Sequence, residues 1–209
     1  MKSFKEYFYL KENVLTDITD IKHIFTSNIV HGNINLQSQR LAILPNWSNI
    51  EVIGHFDCSN NRLKTLIGSA KVVDGSFYCW SNKLITLIGA PSSVGENFIC
   101  GYNKLENLEG APKRIGLDFK CHNSSNLTSL KDNGIEYIGG DMSFKHCPNI
   151  QEDQWQYLPV INGALITDKD LNRNEYLILH KLQALGRIGE LRLIGNIEQS
   201  EDDDDPFNL

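Results

Sequence analysis

The sequence predicts an α/β solenoid, a stack of about six short coils with a parallel β-sheet on one face and helices capping its ends. Three observations lead there. Cys58, Cys79, Cys100 and Cys121 are each 21 residues from the next, a regularity foreign to zinc motifs with their short C-x2-C pairs. Phe56, Phe77, Phe98 and Phe119 each stand two residues before one of these cysteines, the alternation of a half-buried strand. Glycine-containing segments punctuate every unit, and so short a unit cannot bury its own apolar face. Successive coils must therefore stack, strand beside strand about 4.8 Å apart.

The elements follow in order. Within residues 1–27, Val14, Leu15, Ile18, Ile21, Ile24 and Phe25 recur at helical spacing, which predicts an N-terminal helical cap, or a targeting segment in its first part. Residues 28–167 are expected to form the solenoid. A degenerate unit starts at Gly32, regular ones at Gly54, Gly75, Gly95 and Gly116, a sixth at Gly140, and an irregular turn holds Gly163 and Leu165. Asn61, Asn82 and Asn103 recur three residues after the cysteines, with Gln39, Ser124 and Cys147 in the equivalent slot. An extra residue before Leu127, and another before Ile150, predicts a bulge after the strand in the last two coils. Residues 168–196 are expected to supply a C-terminal capping helix. Thr167 and Asp170 look like its capping box, Leu171, Ile178, Leu182 and Leu185 share a face, and Gly186 stops it. Residues 197–209 form an acidic tail, a charge run of the solvated, disordered kind.

Composition narrows the function classes. The net charge is -6, and six acids fall between Glu198 and Asp205, so the rest of the chain is balanced. No basic stretch favours nucleic-acid phosphates or an anionic membrane surface. No apolar run approaches the ~18 residues of a membrane span, and lysines interrupt MKSFKEYFYLKE where a secretory signal needs a continuous apolar core. The cysteine column reads as stacked small hydrophobes, with a strand spacing longer than the ~3.8 Å that a disulfide prefers between Cβ atoms. Reduced thiols and an intracellular location are the expectation.

The pattern F-x-C-x-x-N-x-L-x-x-L resembles the leucine-rich-repeat consensus L-x-L-x-x-N-x-L over about two thirds of the chain. The resemblance implies that each asparagine amide bonds the bend after a strand and that the outward sheet face binds a partner. Three columns face outward: Asn35, Asp57, Tyr78, Ile99, Lys120 and Ser143; Gln37, Ser59, Trp80, Gly101, His122 and Lys145; Ser38, Asn60, Ser81, Tyr102, Asn123 and His146. Tyr78, Trp80, Ile99 and Tyr102 thus cluster centrally, rimmed by Asp57 and by Lys120 and His122 with Lys145 and His146. This is the composition of a protein-binding hot spot. Cover by the chain's own ends, or by a second copy in a homodimer, is the alternative occupant of this face. His122 and His146 could form a metal or acid–base pair, but no carboxylate is seen to orient them, no third ligand is evident and no nucleophile stands beside them. The sequence makes no case for an enzyme and none for a catalytic residue, metal ligand or cofactor. Bacterial effector ubiquitin ligases carry similar repeats before a large domain with an essential cysteine. No cysteine follows Ile150 here.

Two further resemblances point to a bacteriophage. Met1, Lys2, Ser3, Phe4, Glu6 and Tyr7 are similar to the capsid-targeting peptide of T-even-like phage internal head proteins, and Leu10, Lys11 and Glu12 fit protease cleavage after Glu12. The G-A-P punctuation at Gly89–Pro91 and Gly110–Pro112 resembles that of phage-encoded repeat proteins. The expected function is a non-enzymatic protein–protein interaction module binding a host or phage protein in the host cytoplasm. The alternative is a virion internal or structural protein targeted by its N-terminal peptide.

Overall fold

In a computed structural model, residues 28–194 of the protein are described. The expected N-terminal cap, the cleavage site after Glu12 and the acidic tail lie outside these residues.

The solenoid is present, with a finer structure than one strand per coil. The first six coils each carry two short strands: β1 (Ile29–His31) and β2 (Ile34–Asn35), β3 (Glu51–Ile53) and β4 (Phe56–Asp57), β5 (Val72–Val73) and β6 (Phe77–Tyr78), β7 (Ser93–Val94) and β8 (Phe98–Ile99), β9 (Arg114–Ile115) and β10 (Phe119–Lys120), β11 (Tyr137–Ile138) and β12 (Met142–Ser143). The odd-numbered strands pair in one parallel ladder and the even-numbered in another. β13 (Val160–Thr167) runs through both ladders and joins them, and β14 (Ile188–Leu193) pairs parallel on β13.

Glycine explains the break between the ladders. A Cβ on Gly95 would lie 2.0 Å from the Asp74 carbonyl oxygen, and one on Gly116 1.8 Å from that of Gly95, so only glycine lets the bends of neighbouring coils approach so closely. Side chains bridge the coils beside this break. The amides of His55, Ser76, Asn97, Asp118, Asp141 and Ala164 donate in turn to Asn33 Oδ1, His55 Nδ1, Ser76 Oγ, Asn97 Oδ1, Asp118 Oδ1 and Asp141 Oδ1. The backbone donors left over by the bend are satisfied in this way.

The core consists of columns running along the stack. The odd ladder contributes Val30, Val52, Val73, Val94, Ile115, Ile138 and Ile161, all buried. In the even ladder, the rings of Phe56, Phe77, Phe98 and Phe119 stack with successive centroids 5.3, 5.5 and 5.7 Å apart. Trp47 closes this stack edge-on at Phe56, and Phe144 and Trp155 close it beyond Phe119. Each such buried side chain contributes about 1.5–3 kcal/mol. The five cysteines are buried and unbridged. The asparagine ladder forms as the resemblance implies: Asn82 Nδ2 donates to the Cys58 and Cys79 carbonyls while its Oδ1 accepts from the Leu63 amide, and Asn103 repeats this one coil on. Cys147 fills the slot too, its thiol donating to the Cys121 carbonyl at 2.9 Å.

The C-terminal cap departs from expectation. Helix α1 (Arg173–Ala184) starts at Asn172, whose Oδ1 accepts from the Asn174 and Glu175 amides while Glu175 accepts from the Asn172 amide. The Thr167 and Asp170 box does not form, because Thr167 ends β13 and its Oγ1 accepts from the Lys169 amide. Leu179 and Leu182 are buried and Leu185 is exposed. Strand β14 then extends the sheet, so residues 168–194 form a helix and a strand rather than a helix alone. A 3-10 helix (Glu152–Tyr157) brings Trp155 beneath α1, where its Nε1 donates to Glu175 Oε1 at 3.0 Å. Lys169 Nζ pairs with the same carboxylate and donates to the Ile150 carbonyl.

Candidate functional site

The even ladder sets the site. Its register places Asn35, Asp57, Tyr78, Ile99, Lys120 and Ser143 side by side, between inward-facing neighbours, as the column reading predicts. After each strand the chain turns through a left-handed residue: Ser38, Asn60, Ser81, Tyr102, Asn123 and His146 have φ between 51° and 59°. Asparagine occupies such backbone readily, whereas a bulky ring there carries a strain of about 1 kcal/mol or more. Tyr102 is thus held at a position that the other coils fill with Ser, Asn or His.

The four apolar residues occupy two adjacent coils. Tyr78 and Trp80 are half-buried, Tyr102 is 44% exposed, and Ile99 is only 7% exposed although it stands in the outward column. Between Trp80 and His122 the column holds Gly101, where a Cβ would lie 2.8 Å from the His122 carbonyl oxygen. Glycine therefore allows the close approach of the coil of His122, and Gly101 and Ile99 are both buried between Trp80 and Tyr102.

The rim differs from its reading as a charged border. Asp57 Oδ1 accepts from the Ser59 amide and hydroxyl at 2.9 and 2.5 Å, so this carboxylate shapes its own bend. Lys120 lies 3.6 Å from Asp118, and Arg192 of β14 reaches Asp141 at 3.2 Å. The far end is mixed in charge rather than simply basic.

The histidines require a correction. An acid does orient His146: its Nδ1 lies 2.9 Å from Asp168 Oδ2, and its amide donates to both oxygens of that carboxylate. Asp168 is one coil further along, so sequence proximity concealed it. His122 Nε2 shares a 2.9 Å hydrogen bond with Ser143 Oγ. Ser143 is 3% exposed, so this bond lies beneath the sheet face. Burial pushes the Cys58, Cys79 and Cys100 thiols up, and a neighbouring thiol does so first for Cys121 and Cys147, which keeps all five protonated and inert. Asn123, His146, Pro148, Asp168 and Asp170 line an open depression of about 650 Å³. Among the described residues no group of three or more His, Cys, Asp or Glu could hold a metal ion, and no helix is long and apolar enough to cross a membrane.

No family model, curated protein or solved structure matches the chain.

Proposed function

We propose that the chain is a non-enzymatic interaction module of the leucine-rich-repeat type, phage-encoded and acting in the host cytoplasm, whose sheet face around Trp80 binds another protein. The observation that carries this reading is the grouping of Tyr78, Trp80 and Tyr102 on two adjacent coils of the sheet face, with Tyr102 44% exposed. Aromatic anchors at the centre of an otherwise polar face are the residues on which interface energy concentrates. The test is capture of a partner from infected cells. The triple variant Tyr78→Ala, Trp80→Ala, Tyr102→Ala should lose at least about tenfold in affinity, while Lys83→Ala, on the turn beyond the asparagine, retains it. A folded triple variant that captures the same partner equally well would sink this reading.

The second reading, a virion internal protein, is favoured by the M-K-S-F-x-E-Y start and the Leu10-Lys11-Glu12 site. Mass spectrometry of purified virions should then find a chain beginning at Asn13. Absence of the protein from virions removes it.

A further inference from the structure

The geometry points to a further interaction surface at the C-terminal end of the stack: two copies of the chain join edge to edge through β14, antiparallel about a two-fold axis at Leu191. This surface is separate from the face around Trp80.

The backbone supplies the first argument. β14 pairs with β13 alone, so its other edge has no strand beside it among the described residues. The Ile194 amide donates to the Thr167 carbonyl. Along a strand the main-chain groups of successive residues alternate between its two sides. Arg192 therefore also turns its N–H and C=O toward β13, and Leu191 and Leu193 turn theirs outward. An open row of this kind is a template for another strand.

The surface of the last coil is the second. A terminal repeat ordinarily turns a polar face to water. Here Leu177, Leu185, Leu193 and Ile194 are exposed. β14, with the sequence IGELRL, holds neither the proline nor the lysine that would blunt such an edge.

The order of residues along β14 is the third, and it selects the occupant. In an antiparallel copy centred on Leu191, the two Leu191 residues stand opposite and exchange both main-chain bonds. Glu190 then stands opposite Arg192 of the second copy, twice by symmetry, in the non-hydrogen-bonded pairs where side chains approach most closely. Centring on Glu190 or on Arg192 would instead set like charges against each other. Arg192 and Glu190 of one chain already pair at 2.8 Å and stay half-exposed, so two carboxylates and two guanidiniums close into one alternating ring. Leu193 falls opposite Gly189 of the second copy, a position without a side chain.

The two-fold axis is normal to the sheet, so both Trp80 faces look to the same side, about 50 Å apart along the joined sheet. A dimer of this form offers two sites side by side to a repeated partner.

Sedimentation of the purified full-length chain tests this. The wild type should run as a dimer at about 100 μM, well above the micromolar dissociation constant of so small an interface. Glu190→Arg and Arg192→Glu each set like charges together at both pairs, and each should weaken the dimer about tenfold or more with an unchanged circular dichroism spectrum. Mixed in equal amounts, the two variants should dimerise again, because each supplies the charge the other lacks; a folding defect gives no such recovery. Leu193→Lys, which leaves the bond between Arg192 and Asp141 in place, should weaken the dimer as well. A monomeric wild type overturns the proposal. So does a dimer that survives both charge variants, or one lost only in Tyr102→Ala, which assigns the contact to the face around Trp80. Slow hydrogen exchange at the Leu191 and Leu193 amides of a monomer also overturns it, by assigning the edge to another segment of the chain. The charge variants leave Tyr78, Trp80 and Tyr102 unchanged, so failure of the dimer and failure of partner capture are read separately.

Discussion

A single asparagine does the work of several backbone groups in this fold. Asn82 satisfies the Cys58 and Cys79 carbonyls and the Leu63 amide at once, at 9% exposure, so it ties a bend to the coil before it. A buried amide with every bond made stabilises, and the same group unpaired would cost about 1–3 kcal/mol. The second ladder, Asn33, His55, Ser76, Asn97, Asp118 and Asp141, performs the matching task at the glycine bend with four residue types. The contrast decides what was legible. The asparagine and cysteine columns repeat by identity and announce themselves by spacing. The second ladder repeats only by capacity, an acceptor at each position, and no pattern of letters records it. For the same reason the columns of the sheet face were readable from Phe and Cys, whereas the bond from Asp168 to His146 was not.

At the scale of elements, the C-terminal cap depends on one buried carboxylate. Burial pushes the Glu175 carboxyl up, but its bonds from Lys169, Trp155 and Asn172 outweigh this and hold it below the ordinary carboxylate range. A folded-state value below the unfolded one gives stability that is complete above about pH 4.3 and is lost as pH falls through the folded value. Glu175→Gln should therefore destabilise by about 3 kcal/mol at pH 7, since it leaves the Lys169 ammonium buried without its counter-charge. Urea melts should show that difference shrinking as pH falls below about 4. A constant difference across pH would mean that lost packing, not charge, is responsible. The helix itself was visible in sequence through its apolar spacing and Gly186. Its true start was not, because Asn172 with Glu175 forms the same motif as Thr167 with Asp170, and only the end of β13 decides between them. The odd-numbered strands were missed because two-residue strands such as Val72–Val73 and Ser93–Val94 are too short to show a period.

At the scale of the molecule, each regular coil pairs with the coil before it and the coil after it, so fold and function can be separated by removing one coil. Deleting residues 84–104 takes out one 21-residue repeat and joins Lys83 to Leu105 with the N-x-L pattern intact. Phe77 then meets Phe119, Cys79 meets Cys121, and β6 takes the place of β8 beside β10. In a one-dimensional stack this removes one repeat and one interface, so the variant should melt cooperatively, with a urea m-value smaller by about a tenth. Deleting residues 84–93, about half a coil, removes Ser93 of β7, places Val94 directly after Lys83 and throws every later column out of register; that variant should not fold. The whole-coil deletion also removes Ile99, Gly101 and Tyr102 and sets Trp80 directly against His122. Partner capture should fall to the level of the triple variant although the solenoid persists. Retention of partner capture in a folded deletion would place the binding surface elsewhere on the stack.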